Sequence, residues 1–513
     1  MKKSIIFSVL TLGALLFCSC DDYLDVTPSD KQTADQLFAT KSGFYTASNG
    51  IYDGLSSDAL YGKHLTWEAV DLISSSYSST SASDYIKNLV ANNYTEYTVS
   101  QTFSDIWQKA YELILAANLL IDQVDNQNGI LTQQEADCLK GEMLAVRAYL
   151  HLDMMRLFGP SPYYGTDQTA IPYNESTKVT TLDLLTIDEA CEKIIRDLDE
   201  AEKLLESDPI IENGPMMSEP KGSETVDLRY RQYRFNYYAV KALKARAYAW
   251  AGKTEEAYAQ ALSLIQDKKV QNMFPAIDPN KLLANTQNPD RVFSSEVLMG
   301  IYDKDRDNVY NNYFSSSAPR NQHLQPYAGY VNDGDYGLFT NFMLGPEFED
   351  YRFQSQWEAA TGTGAKGHNF CKFAPIAKPD PTDEDSEYYF AKMIPLVKMQ
   401  EMYLIAAECA PDAMEAVGWY NQIRTRRGLL DINEMGMTED LAMYWDYGYA
   451  GFFLGNEYKR EFWGEGQFFF FVKRFDCVGY GPGAFYYSES GASEPDDVPM
   501  ISVDVPLPAG EMR

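Results

Sequence analysis

A helical period in the apolar residues most limits what this chain can fold into. Apolar side chains recur at three- and four-residue spacing over 104–124, 135–158, 186–205 and 235–250. This spacing places them on one face of an α-helix, and that face is stable when it packs against another helix. The sequence therefore predicts a mainly α fold.

Segment 241–266 predicts a helix pair of the tetratricopeptide type. Small residues let paired helices approach closely, and segments 399–409, 412–425 and 142–158 repeat this feature. We therefore expect a degenerate helical-repeat scaffold and not a regular solenoid. The small, aromatic and turn positions of the first pair are Ala245, Tyr248, Gly252, Ala257 and Ala261.

The character of the sequence changes between residues 274 and 395. Gly, Pro, Asn, Asp and Tyr become frequent there, and helical periodicity disappears. We expect a long irregular insertion, and loops held by a rigid framework commonly carry binding sites. The predicted organisation is a signal segment 1–19 and one ectodomain 20–513, with its helical scaffold over about 30–273 and 396–475 and the insertion over about 274–395.

The amino terminus predicts export and a lipid anchor. Two lysines precede an apolar run over 5–17, which is too short to span a bilayer and is typical of a secretory signal peptide. The run ends at Cys20, after the small residue Ser19 and before two aspartates. We therefore expect cleavage before Cys20 and acylation of that cysteine, because several acyl chains on one residue give stable membrane attachment.

The strongly acidic composition argues against several classes of partner. The formal net charge is -31, and nucleic acid and anionic lipid surfaces both require basic patches on the protein that binds them. We therefore expect no nucleic acid partner. Neutral ligands such as sugars are compatible with this charge.

The cysteines and histidines do not predict a metal site. Five cysteines follow Cys20, their number is odd and their spacings are wide, which favours buried free thiols, although export would permit a disulfide. The four histidines show no metal-ligand spacing. We expect neither a metal nor a cofactor. The five cysteines are Cys138, Cys191, Cys371, Cys409 and Cys477.

Motifs in the last third of the chain resemble those of a known family. The sequences are EMYLIAAE over 401–408, NQIRTRRG over 421–428, EYKREFWGEGQ over 457–467 and VKRF over 472–475. With CDDYLDVTPS at Cys20, RAY at Arg147 and RLFGP at Arg156, they resemble the SusD/RagB family over nearly the whole mature chain.

The resemblance implies a function in nutrient uptake. Members of the family are outer-membrane lipoproteins that face the cell exterior, bind glycans or in some branches peptides, and cap a SusC-like TonB-dependent transporter. We therefore expect a lipid-anchored, non-enzymatic protein that captures oligosaccharides and delivers them to such a transporter. A peptide-binding member of the family is the alternative, and a secreted hydrolase or a helical-repeat adaptor are more distant ones.

Three glutamates at four-residue spacing, Glu457, Glu461 and Glu465, resemble a catalytic carboxylate group on one helical face. Basic residues lie close to them in sequence, so we expect structural ion pairs instead. The arginines of the NQIRTRRG motif are likewise expected to pair and to cap a helix end.

Aromatic residues are abundant, with 37 Tyr, 26 Phe and 7 Trp, which is more than a helical core obviously needs. Sugar rings stack on aromatic planes, and their hydroxyl groups need amide, carboxylate or guanidinium partners. Two loop segments, 74–93 and 310–357, combine these groups, and we expect them to meet in space and form the ligand site. The candidate ligand residues are Tyr77, Tyr85, Arg320, Tyr327, Tyr330, Asn332 and Trp357.

Overall fold

A computed structural model describes most of the chain, and it is mainly α-helical, as predicted. The described residues are 34–78, 82–222, 225–284, 288–326, 331, 337–341, 343–361, 367–376, 389–475 and 502–508. Their helices are α1 Ala34–Leu37, α2 Lys41–Leu55, α3 Ala69–Ile73, α4 Asp84–Val90, α5 Tyr97–Asp125, α6 Gln133–Phe158, α7 Ile187–Leu204, α8 Ile210–Asn213, α9 Tyr237–Trp250, α10 Thr254–Ile265, α11 Lys268–Met273, α12 Arg306–Val309, α13 Tyr351–Gln356, α14 Met399–Cys409, α15 Ala413–Thr425, α16 Thr438–Tyr444, α17 Ala450–Phe462 and α18 Gln467–Phe475.

The predicted helix pairs are confirmed. Helix α5 packs on α6 and α6 on α7, α9 on α10, and α14 on α15. Gly252 makes the turn of the α9–α10 pair at φ +68°, a left-handed conformation that glycine adopts without a steric penalty. Ala245, Ala257 and Ala261 are fully buried, as close helix packing requires.

The boundaries of two scaffold helices are fixed by their side chains. Thr132 and Thr186 each accept a hydrogen bond from a backbone N–H in the first turn of α6 and α7. Glu135 and Glu189 reach back to the N-cap backbone, which completes a capping box at each helix. These caps satisfy backbone donors that no helical carbonyl can reach.

Short strands hold the irregular region to the scaffold. The longest two, β3 and β8, form an antiparallel pair in which Tyr302 opposes Met393; β3 lies in the first part of the insertion and β8 at its end. Helix α14 begins at the residue that follows β8. The strands are β1 Thr169–Ile171, β2 Leu185–Thr186, β3 Val297–Tyr302, β4 Thr340–Asn341, β5 Gly345–Pro346, β6 Trp357–Ala359, β7 His368–Phe370 and β8 Met393–Lys398.

A buried network of ion pairs, here called the ionic cluster, joins the insertion to the carboxy-terminal helices. It contains equal numbers of acidic and basic side chains, so their charges cancel. Arg427 illustrates the geometry, since its guanidinium donates to Glu296 at 2.7 and 2.8 Å and to Glu461 at 2.9 Å. The members are Glu296, Glu347, Asp350, Arg352, Lys372, Lys398, Arg424, Arg427, Glu457, Arg460, Glu461 and Glu465.

The cluster confirms that the three spaced glutamates are structural. Burial opposes ionisation of Glu461, but Arg427, Lys398 and Arg352 outweigh it and hold the pKa of that carboxyl well below its usual range. The expected partners from neighbouring sequence were only partly right. Arg460 does pair with Glu457 at 3.0 Å, whereas Glu461 pairs with residues distant in sequence.

Four predicted free thiols are confirmed. Cys138, Cys191, Cys371 and Cys409 are buried and unbonded, while Cys477 lies outside the described residues. In the described part of the chain, no helix is both long enough and apolar enough to cross a membrane. Cys20 also lies outside the described residues, so acylation there stays a prediction.

Candidate functional site

A cleft of about 1000 Å³ opens on the described surface, and tyrosines form a large part of its lining. Five tyrosines line it together with amide, carboxylate and cationic side chains, including Asn49, Asp53 and Arg234. We call it the tyrosine cleft. Its tyrosines are Tyr52, Tyr230, Tyr233, Tyr302 and Tyr389.

Separate elements of the fold bring these rings together. Tyr52 lies near the carboxy-terminal end of α2, and Tyr302 is the last residue of β3. Tyr230 and Tyr233 come from the connection between α8 and α9, and Tyr389 precedes β8. The cleft therefore lies where the β3–β8 pair ends against α2.

The connection between α8 and α9 has a strained backbone beside the cleft. Met216, Leu228 and Tyr230 adopt φ values of +49°, +56° and +53°. A residue with a side chain rarely adopts this left-handed conformation, because its Cβ approaches the following carbonyl oxygen. Such strain is most often found at ligand-binding sites.

Hydrogen bonds hold two of the tyrosines in place. The Tyr52 hydroxyl donates to Glu142 at 3.1 Å and accepts from the Phe235 backbone at 3.0 Å. Tyr233 donates to the Tyr389 carbonyl at 2.6 Å, and its ring meets the Tyr302 ring edge to face at 5.7 Å. Burial, with Glu219 as hydrogen-bond partner, raises the pKa of Tyr230 to about 12, so its hydroxyl stays protonated at neutral pH.

Arg234 lies at the back of the cleft, with its guanidinium carbon 4.4 Å from the centre of the Tyr52 ring. It also borders a smaller cavity of about 90 Å³, which shares Asn49 and Tyr230 with the cleft. Arg234 Nη1, Tyr45 Oη and Ser48 Oγ are buried there without a hydrogen-bond partner among the described residues. These atoms are available to a hydroxyl group of a ligand or to ordered water.

A second cleft of about 470 Å³ meets the first at Asp53 and Tyr302. Its lining is polar, and we call it the aspartate cleft. The Trp67 and Tyr313 rings meet at a centroid distance of 4.7 Å with their planes tilted by 49°, and Lys63 lies over the Tyr313 ring. Burial raises the pKa of Asp303, and the nearby carboxylates of Asp305 and Asp58 raise it further.

The two clefts together form a binding surface of aromatic faces edged by hydrogen-bonding groups. Tyr302 stands at their junction and is 55% exposed, so its ring is open to a ligand. Among the residues that the structure describes, no group of three or more His, Cys, Asp or Glu side chains is arranged to hold a metal ion.

Sequence comparison finds relatives for part of the chain. A family model described as "Starch-binding associating with outer membrane", of the SusD-like group, matches residues 22–215. This part of the chain is therefore similar to the SusD-like family, in agreement with the SusD/RagB resemblance of the sequence motifs. Two curated SusD-like proteins of Formosa agariphila are each 25% identical, over 152 and 210 residues, or 28% and 40% of this chain. These matches span only 28% and 38% of the length of those relatives.

Solved structures of the family share the fold. A SusD superfamily protein from Bacteroides thetaiotaomicron aligns with a TM-score of 0.64 at 18% identity, over 92% of this chain and 97% of its own. One from Bacteroides fragilis gives 0.61 at 15% identity, over 93% and 98%. A SusD-like carbohydrate binding protein from Bacteroides vulgatus gives 0.59 at 19% identity, over 86% and 84%.

The predicted meeting of the two loop segments is confirmed. The Ser78 backbone donates to the Gln325 carbonyl at 2.8 Å, and the Ser83 backbone donates to the Asn321 carbonyl at 3.0 Å. These contacts join segment 74–93 to segment 310–357. These contacts show that the loops meet, but the ligand role depends on whether each aromatic ring is exposed.

Two predicted ligand residues lie in the core, which corrects the expectation for them. Tyr77 has no exposed surface and Trp357 is 6% exposed. Both rings pack on Trp463, at 5.5 and 4.9 Å, so neither presents a free face to a sugar. The apolar area of these rings is large, and burying it stabilises the fold more than leaving it in water.

The other predicted site residues are dispersed. Tyr85 is partly buried, and its hydroxyl lies 3.1 Å from Glu68, a residue that also pairs with Lys63 of the aspartate cleft. Arg320 is exposed at the surface. Three further candidates lie outside the described residues, namely Tyr327, Tyr330 and Asn332.

Sequence reasoning missed the tyrosine cleft. A usable signal was present in RYRQYRF over 229–235, where Tyr230 and Tyr233 alternate with arginines at the end of a loop. A second signal was Tyr302, a polar-tipped ring directly after the apolar run of β3. Neither signal identifies a cleft alone, because the rings meet only after β3 and α2 have packed.

Proposed function

We propose that this protein binds oligosaccharides on the outer surface of the outer membrane and passes them to a SusC-like TonB-dependent transporter. The observation that carries the proposal is the tyrosine cleft with the exposed ring of Tyr302 at its edge. A cleft of about 1000 Å³ has room for several sugar rings, and it offers aromatic planes beside amide, carboxylate and guanidinium groups.

Three further facts support a glycan ligand. The family model that matches the chain is described as starch-binding. One structural neighbour is named as a SusD-like carbohydrate binding protein. The strongly acidic charge of the chain favours a neutral ligand over a polyanion.

We propose that this surface captures a ligand and does not catalyse a reaction. The spaced glutamates Glu457, Glu461 and Glu465 resemble a catalytic group, but each forms buried ion pairs. They are at most 2% exposed, so a ligand in the cleft cannot reach them. The tyrosine cleft offers binding groups at its surface, and burial raises the pKa of Tyr230 and Tyr233, whose hydroxyls therefore stay protonated at neutral pH. We therefore assign to the protein the roles of capture and release.

A calorimetric titration of neutral oligosaccharides tests the binding site. Tyr302→Ala should lower the affinity for the oligosaccharide about tenfold, because loss of one stacked ring costs about 1–3 kcal/mol of binding free energy. Tyr97→Ala is the matched control, since Tyr97 is 76% exposed and lies outside the cleft. Equal affinities of the two variants would show that the tyrosine cleft is not the oligosaccharide-binding site.

The same titration separates the alternatives. Release of reducing ends from the oligosaccharide would indicate a hydrolase. Binding of a peptide panel without oligosaccharide binding would favour the peptide-binding branch of the family. A helical-repeat adaptor would bind neither panel.

The anchor and the transporter are tested in cells. Cys20→Ala should abolish acylation and release the protein from membranes, because the lipid is the proposed anchor. Mild-detergent extraction of the unaltered protein should copurify a large β-barrel transporter. Membrane retention of the Cys20→Ala protein after a high-salt wash would contradict the anchor, and extraction of only monomer would contradict the transporter partnership.

A further inference from the structure

Helices α15, α16 and α17 form a small unit with an apolar core of its own, apart from the main core. Of the twelve large apolar side chains exposed on the described chain, five lie in this unit. Their concentration is unusual, because single exposed apolar residues normally scatter over a protein surface. The five are Met414, Leu430, Met435, Met443 and Tyr447.

The same unit is acidic. The chain has no Lys, Arg or His between Gly428 and Tyr458. Four exposed carboxylates accompany the apolar side chains, and within the described residues none of them makes an ion pair. They are Glu434, Glu439, Asp440 and Asp446. We call the apolar and acidic side chains together the acidic methionine face.

A kinked turn carries the exposed tyrosine of this face. A π-helical turn, Trp445–Tyr449, links α16 to α17, and Gly448 allows its kink at φ +95°. The Trp445 ring stacks on Phe453 at 5.8 Å with an interplanar angle of 6°. Tyr447 lies in this turn and is 70% exposed, so its aromatic ring is presented to solvent.

We propose that the acidic methionine face docks a segment of another protein that carries basic and apolar side chains on one surface. Methionine and tyrosine are enriched at protein interfaces, where flexible thioethers adapt to a partner and rigid rings anchor it. The unpaired carboxylates select a basic partner through charge complementarity. An amphipathic helix with lysine or arginine beside its apolar stripe has the required chemistry.

The charge of the face argues against two other occupants. A second copy of this chain would bring the same carboxylates together, and like charges across an interface cost binding energy. An anionic membrane surface would repel them for the same reason. The tyrosine cleft shares none of its lining residues with this face, so the proposal does not depend on a glycan ligand.

A peptide titration of the purified Cys20→Ala chain in detergent-free buffer tests the proposal, because this variant lacks the proposed lipid anchor. The probe is a synthetic helical peptide with leucine on one face and lysine on the other. Its control has the same composition in scrambled order, and therefore the same charge without an apolar face. We expect the ordered peptide to bind about tenfold more tightly, with an affinity that falls as salt is added.

Two double variants locate the contact. Met443→Ser with Tyr447→Ser should lower the affinity for the ordered peptide about tenfold. The melting temperature should stay unchanged, since both side chains are exposed. Tyr97→Ser with Val179→Ser is the matched control, because these side chains are 76% and 91% exposed elsewhere, and it should bind like the unaltered chain.

Charge variants complete the test. Asp440→Asn with Asp446→Asn should weaken the peptide and reduce the salt dependence of its binding. Equal binding of ordered and scrambled peptides, or equal binding by both double variants, would overturn the proposal. Binding to phosphatidylcholine vesicles without peptide binding would also overturn it, in favour of a lipid surface.

Discussion

The ionic cluster and the tyrosine cleft are both rich in polar and charged side chains, but they use them differently. In the cluster, acidic and basic groups are equal in number, and each charged group has an opposite charge within ion-pair distance. Arg424 Nε and Glu457 Oε2 of the cluster lack a hydrogen-bond partner, but their groups are held by opposite charges. In the cleft and the small cavity beside it, Arg234 Nη1, Tyr45 Oη and Ser48 Oγ lack a hydrogen-bond partner, and Arg234 makes no ion pair among the described residues.

This difference separates residues that hold the fold from residues that can hold a ligand. A buried polar group without a partner is costly, so a fold retains one mainly where something else will satisfy it. The motif over 457–467 belongs to the first kind, because Glu457, Arg460, Glu461 and Glu465 all join the cluster. The motif by which the sequence resembles the SusD/RagB family therefore lies in the interior, and the proposed ligand site lies elsewhere.

Removing one cation from the cluster should have the largest effect. Arg427→Met leaves Glu296 and Glu461 buried without their main partner, which costs about 3–5 kcal/mol of the free energy of unfolding. Urea denaturation measures this loss. Arg320→Met is the matched control, because Arg320 is exposed and its loss should change stability little. Similar stabilities of the two variants would contradict the view that the cluster holds the fold.

The ring of Trp357 should behave as part of the interior and not as part of a ligand site. Trp357→Ala removes a buried ring that packs on Trp463 and Phe370, and the cavity should cost about 3 kcal/mol or more. The affinity for an oligosaccharide in the tyrosine cleft should stay within about twofold of the original. If Trp357→Ala kept its stability but lost oligosaccharide binding, Trp357 would belong to the ligand site and not to the interior.

Local signals allowed the scaffold to be predicted. The period of apolar residues and the threonine caps act within one helix, so α6 begins at Gln133 and ends at Phe158, close to the predicted 135–158. Pairing of α14 and α15 followed from small residues at their contact. The ionic cluster was harder to predict, because Glu461 takes its partners from β8 and from the segment after α15, which sequence proximity does not indicate.

The site was predicted less well, for a physical reason. Aromatic residues serve both a core and a sugar site, and composition does not distinguish the two uses. Tyr77 and Tyr302 look alike in sequence, yet the first is fully buried and the second is 55% exposed. The difference arises because Tyr302 ends a strand at the rim of a cleft, whereas Tyr77 packs on Trp463 behind two joined loops.

Acid should weaken the interior through His151. The imidazole Nε2 accepts from the Asn174 backbone at 2.9 Å, so Nδ1 must donate to the Arg147 carbonyl, and the ring is neutral. Burial lowers the pKa of His151 to about 3. Below an unfolded pKa of about 6.5, the unfolded chain therefore binds a proton that the folded chain excludes.

The stability contributed by neutral His151 should accordingly be lost as the pH falls from about 6.5 towards 3, by about 1.4 kcal/mol per pH unit. Denaturant titrations at several pH values measure this slope. His151→Gln is the comparison variant, since it cannot titrate and should show a shallower slope over the same range. Parallel slopes for the two proteins would mean that His151 is not the responsible group.

The smallest expected effect concerns the strain beside the cleft. Tyr230→Gly and Tyr230→Ala both remove the ring, but only alanine keeps a Cβ at φ +53°. The glycine variant should therefore be more stable by about 1 kcal/mol, as measured by urea denaturation. Tyr233 provides the matched control, because it lies in a 3-10 turn where glycine should be less stable than alanine by about 0.5–1 kcal/mol. The same sign at both positions would show that the left-handed backbone of Tyr230 stores no strain beside the cleft.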